Sequence, residues 1–281
     1  MNGRARLLPT REPSDPDGLV LVLHGGAARR ESMMVSPTQL SVLRMVPVAQ
    51  RIARAGRGRL AVHRLLNSSR GWDTGHTPVQ DVDWALARLH EQHGDLPPVA
   101  LVGHSLGGRA ALLAANRPEV RSVVALNPWV YPSDGDLDAT GRRVLIVHGT
   151  EDRIAVPERA EAAARRLART ARVGFISVEG ARHAMLRDGP RFERYAADFV
   201  NATLLGTVRA GRSPRYSTDV TAWRCEVYSL TSSSPAASVP GAPPSPVSGG
   251  PSVRASSSGI RDMIAAISSR SAFDGSPQPG S

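Results

Sequence analysis

One serine lies among glycines in an arrangement suited to nucleophilic chemistry: Gly103-His104-Ser105-Leu106-Gly107-Gly108. An apolar run, Pro98–Val102, precedes it, and a helical run, Arg109–Ala115, follows. On a sharp turn from strand to helix, a serine is held in a strained backbone conformation with its hydroxyl clear of the sheet. Glycine at 103 and 107 lets the helix start pack closely against the strand end. The helix N-terminus then favours negative charge developing at the serine. A serine hydroxyl is a poor nucleophile near neutral pH. It needs an adjacent base, and the base needs a third group to fix its tautomer.

Two later segments offer those groups in order. The apolar run Arg143–Val147 ends in His148-Gly149-Thr150-Glu151-Asp152, and Val173–Val178 is followed by Glu179-Gly180-Ala181-Arg182-His183. Ser105, Asp152 and His183 each follow the C-terminal end of an expected strand, where open parallel sheets place their functional groups. His183 is assigned as base and Asp152 as the orienting acid, with Glu151 as the competing carboxylate. The plainer reading, a glycine-rich turn that happens to hold a serine, is disfavoured by this context.

Gly103–Gly108, His148–Asp152 and Gly180–His183 resemble three signatures of the α/β-hydrolase family, over roughly residues 18–205. The similarity is greatest to small, lidless members such as dienelactone-hydrolase-like and short-chain esterase proteins. Dienelactone hydrolases carry cysteine where this chain has Ser105. The resemblance implies that the acid stands at Asp152, ahead of the helix start at Val156-Pro157. It also implies an oxyanion hole made of two backbone N–H groups: Leu106, and Gly26 (or Ala27) in the loop after the apolar run Leu19–Leu23. His24, His104 and His148, beside the motifs, read as hydrogen-bonded structural residues rather than a second base. His63, His76, His90 and His93 have no motif partner.

Six apolar segments read as strands: Leu19–Leu23, Arg59–Leu65, Val99–Val102, Ser122–Leu126, Val144–Val147 and Gly174–Val178. Between them run helical patterns that start at prolines: Pro47, Pro78, Pro157 and Pro190. This alternation predicts an α/β fold with a doubly wound, mostly parallel sheet of about six strands and helices on both faces. The chain is expected to enter at the strand before His24, without antiparallel edge strands. Asn127–Arg142 is too short for a helical cap. Three regions follow: an N-terminal extension, 1–17; a catalytic domain, 18–206; and a Ser/Pro/Gly-rich tail, 207–281, expected to be disordered and dispensable for chemistry.

Composition narrows the partners. The net charge is +10, and all 35 basic residues are arginine. The arginines are dispersed, often beside acids, and never interleaved with aromatics, so no nucleic acid partner is expected. With one cysteine, Cys225, an intramolecular disulfide is impossible, which suits a reducing compartment. No leader-like or membrane-length apolar stretch is present, so a cytoplasmic location and no membrane partner are expected. No metal or cofactor is expected, because no ligand spacing such as H-E-x-x-H or paired cysteines occurs.

The expected function is hydrolysis of a small carboxylic ester, thioester or amide through an acyl-enzyme. Two alternatives remain: a non-catalytic binding or regulatory protein on the same fold, and cofactor-free perhydrolase or haloperoxidase-like activity. Candidate pocket walls, in loops after strand ends, are Met33, Met34, Trp72, Trp129, Tyr131, Met185 and Leu186, although ordinary loop packing would explain each of them equally well.

Overall fold

Runs buried on both faces read as near-continuous apolar sequence, and such strands belong in the middle of a parallel sheet. The computed structural model, which describes residues 4–26, 35–206 and 227–230, places them there. The strands are β1 (Arg6–Arg11), β2 (Gly18–Leu23), β3 (Leu60–Leu66), β4 (Val99–His104), β5 (Val120–Leu126), β6 (Arg143–Gly149), β7 (Arg172–Val178) and β8 (Val227–Leu230). They form one sheet in the order β1-β3-β2-β4-β5-β6-β7-β8, parallel except for β1.

Six of the eight are the expected strands, and two are additions. The expectation that the chain enters at the strand before His24 is corrected. Residues 6–11 pair antiparallel with β3, with a register shift between Pro9 and Arg11. An edge strand tolerates that proline and the half-exposed Arg/Leu pattern. The second addition, β8, lies within the 207–281 segment and pairs parallel with β7. The rest of that segment, Cys225 and Trp223 included, lies outside the described residues.

The helices are α1 (Leu40–Leu43), α2 (Met45–Ala55), α3 (Thr77–His93), α4 (Leu106–Leu113), α5 (Pro157–Leu167) and α6 (Gly189–Leu204). Period-two alternation along the strands divides the core between two faces. Leu19, Leu21, Leu23, Leu101 and Val123 pack with Val82 and Leu89 of α3, Ala111 of α4 and Ala160 of α5. Val20, Val22, Val102, Leu126 and Val147 pack with Ile52 of α2 and Phe192 and Val200 of α6. The proline starts hold for α3, α5 and α6, while α2 begins two residues before Pro47. Between β5 and β6 there is one five-residue 3-10 turn, Pro132–Asp136, and no cap. No helix among the described residues is long and apolar enough to cross a membrane.

The close approach at the elbow depends on Gly103 and Gly107. A Cβ at Gly103 would lie 2.1 Å from the Gly107 carbonyl oxygen, and one at Gly107 would lie 2.5 Å from that of His24. Both obstacles are backbone and cannot rotate away. Gly107→Ala is therefore expected to destabilise the fold by about 1–3 kcal/mol, as forced overpacking does. Urea unfolding measures it; an unchanged midpoint would mean that the β2–α4 contact is looser than drawn.

Candidate active site

Ser105 occupies the turn between β4 and α4 with φ 56° and ψ −119°. A non-glycine residue there is strained by about 1–3 kcal/mol, which the surrounding packing must offset. Two hydrogen bonds tie the turn down: Ser105 N–H donates to Leu126 O at 3.0 Å, and Trp129 N–H donates to Ser105 O at 3.1 Å. The serine is nearly buried, with Oγ 3.0 Å from Nε2 of His183.

His183 Nδ1 is 2.8 Å from Oδ2 of Asp152, whose side chain has no exposed surface. A carboxylate accepts at this position, so the ring carries its proton on Nδ1 and turns the Nε2 lone pair toward the serine hydroxyl. Asp152 is itself held in place: Oδ1 accepts from the amides of Ile154 and Ala155, both at 2.9 Å. His148 Nε2 donates to Ala155 O at 2.8 Å and lies 3.4 Å from Asp152 Oδ2. Burial alone would raise the Asp152 carboxyl pKa. The hydrogen bonds with His148 and His183, the His183 charge and the Ala155 amide outweigh that, holding it well below the usual carboxylate range. Glu151 points elsewhere, to a half-exposed pair with Arg182 at 3.1 Å.

Two side chains that sequence reading did not assign to the site hold the His183 loop. His104 Nε2 donates to the His183 carbonyl at 2.9 Å. Asn127 Nδ2 reaches the carbonyls of Arg182 and His183 at 3.2 and 3.1 Å, and its Oδ1 accepts from Gly149 N–H at 2.8 Å. Asn127 thus joins the ends of β5 and β6 to the β7 loop. Its φ of 42° is one that asparagine tolerates better than most residues. Its place after β5 was the only sequence hint.

Leu106 N–H opens α4 and Gly26 follows β2, the parallel neighbour of β4, so both amides stand at the C-terminal end of the strands, beside the serine. A Cβ on neighbouring Gly25 would lie 3.2 Å from that of Ser105, which places this loop against the serine. A Cβ on Gly26 would strike the Arg70 carbonyl oxygen at 2.1 Å, so only glycine fits there. Ala27 lies outside the described residues.

The expected pocket walls have different fates. Trp72, Trp129 and Tyr131 surround the guanidinium of Arg109 at 4.3, 5.8 and 4.9 Å. Arg109, one helical turn past Ser105, is nearly buried and forks onto Asp134 with bonds of 2.8 and 3.0 Å. A planar guanidinium suits both the stacking and the carboxylate fork. Sequence reading missed this pair. Met185 is buried in the core on the α2/α6 face, whereas Leu186 is 81% exposed. Met33 and Met34 lie outside the described residues.

Burial lowers the pKa of His24, of His63 and of His104, the last to about 3. Each is neutral in the fold and gains a proton on unfolding once pH drops below about 6.5. Their contribution to stability is complete above that value and is lost as pH falls toward the folded pKa, reaching about 3 for His104. The unfolding free energy is therefore expected to decline from pH 6.5 downward, by about 1.4 kcal/mol per pH unit for each proton. Urea unfolding between pH 3 and 8 measures the slope; a flat profile above pH 4 would contradict the burial of these rings.

Residues 83–190 match the model of the alpha/beta hydrolase family, a span that includes Ser105, Asp152 and His183. Strand order and match agree in showing the α/β-hydrolase fold. No curated protein matches the sequence. Solved structures share the fold at low identity. One is an alpha-beta serine hydrolase homologue from Coxiella burnetii (20% identity, TM-score 0.52, 69% of this chain and 91% of that one). Another is the esterase domain of a Rhodothermus marinus protein (18%, 0.50, 71% and 97%). A third is an esterase from Pyrobaculum calidifontis (14%, 0.53, 74% and 84%).

Proposed function

We propose that the protein is a serine hydrolase that cleaves small carboxylic esters, with thioesters and amides as chemically related substrates, through an acyl-enzyme. The observation that carries this reading is the unbroken chain of hydrogen bonds from Asp152 through His183 to Ser105, at 2.8 and 3.0 Å. Ser105 Oγ attacks the carbonyl carbon as His183 Nε2 takes its proton. Asp152 stabilises the imidazolium, and the Gly26 and Leu106 amides receive the oxyanion. His183 returns the proton to the leaving alcohol. Water then enters by the same route in reverse and frees the acid.

Substrate size follows from the β5–β6 connection, which carries a short turn where a cap would cover the serine. Without a cap at this connection the site gains little from longer acyl chains, because each added methylene stays in water rather than contributing about 0.8 kcal/mol by burial. kcat/KM for p-nitrophenyl esters from C2 to C12 is expected to change little beyond about C4. No jump is expected at the micellar concentration. No turnover of any member of the series would sink the ester reading; a steady climb to C12 would mean that the acyl chain is enclosed.

A further inference from the structure

At the opposite end of the strands from Ser105, three adjacent strands carry an arginine at their first or second residue. Arg121 lies near the start of β5, Arg143 opens β6 and Arg172 opens β7, with Arg143 directly beside Arg172 in the parallel register. Like charges placed side by side across strands are destabilising. The strand starts surround a cavity of about 390 Å³ lined by Arg121, Arg142, Arg143, Arg169 and Arg172, with no acidic residue in the lining. Such a volume suits a small ligand.

Little inside the protein balances this charge. Arg169 pairs with Asp136 at 2.5 Å, and that carboxylate also serves Arg166. Arg142 donates to the carbonyls of Ala115 and Arg117, both at 3.2 Å, which pins its guanidinium without neutralising it. Among the described residues, Arg121, Arg143 and Arg172 form no ion pair. One monovalent anion would offset only one of these charges. A chain of linked phosphates carries three or four charges, and its oxygens match guanidinium forks. We propose that this cleft binds a small polyphosphate, either free or as the phosphate tail of a nucleotide. β5, β6 and β7 also carry Asn127, Asp152 and His183 at their far ends, about 20 Å away at the rise of a seven-residue strand.

The test is calorimetric titration of the full-length protein with tripolyphosphate and with ATP, at constant ionic strength set by sodium chloride. Saturable binding of both is expected, weakened at least tenfold in the Arg143→Ala/Arg172→Ala variant. Ester turnover should stay within twofold of wild type, and the variant should melt no lower than wild type in phosphate-free buffer, because a repulsion has been removed. If that variant fails to fold, Arg121→Ala serves in its place. Equal affinity for ATP and tripolyphosphate would assign recognition to the phosphates alone; tighter ATP binding would add a nucleoside subsite, and both outcomes support the proposal. Absence of saturation, unchanged affinity in the variants, or binding of a short RNA without binding of tripolyphosphate would overturn it.

Discussion

Ser105→Ala is expected to lower kcat for a short p-nitrophenyl ester by on the order of a millionfold, the scale seen when a triad nucleophile is removed. No described side chain can substitute: Oγ is the atom facing His183 Nε2 at 3.0 Å, and the strained turn fixes its direction. The stability of the variant should equal or slightly exceed that of wild type, since the hydroxyl adds nothing to core packing. A variant that retains even a hundredth of wild-type kcat, once contaminating esterases are excluded, would contradict the assignment.

Asp152→Asn should cost about ten-thousandfold in kcat. An amide in place of the carboxylate can donate where Oδ2 accepts from His183 Nδ1 at 2.8 Å, favouring the tautomer with its proton on Nε2, aimed at the serine. Part of that loss should come with reduced stability, because the Ile154 and Ala155 amides and His148 also rely on this carboxylate. Glu151→Gln should leave kcat within about twofold, since among the described residues the Glu151 carboxylate pairs with the exposed Arg182 and not with His183. Reversed outcomes for the two carboxylates would place the acid at Glu151.

Ser105, Asp152 and His183, which the structure joins by hydrogen bonds, stood out in the sequence because each sits within a few residues of a local signal: a glycine elbow, an apolar strand end, a proline helix start. Asn127 was not legible. Its partners Gly149, Arg182 and His183 are close only because β5, β6 and β7 lie side by side, an ordering no local pattern states. The Arg109–Asp134 fork has the same character, joining α4 to the turn after β5 across 25 positions. Strand β1 escaped notice because an edge strand is half exposed. Its Arg-Leu-Leu-Pro-Thr-Arg sequence therefore lacks the apolar continuity that marked β2 and β4. Met185, a candidate pocket wall, belongs to the core cluster that holds Ile52 of α2 and Phe192 of α6, a placement that its loop position after a strand end does not state.

The most direct test of the central claim is to treat the wild-type protein with a fluorophosphonate and locate the adduct by peptide mass spectrometry. Such a probe forms a stable bond only to a hydroxyl activated by a neighbouring base. The account predicts one phosphonylated residue, Ser105, with labelling lost in Ser105→Ala and strongly slowed in a His183→Ala variant. Labelling at another residue, or undiminished labelling of Ser105→Ala, would contradict it.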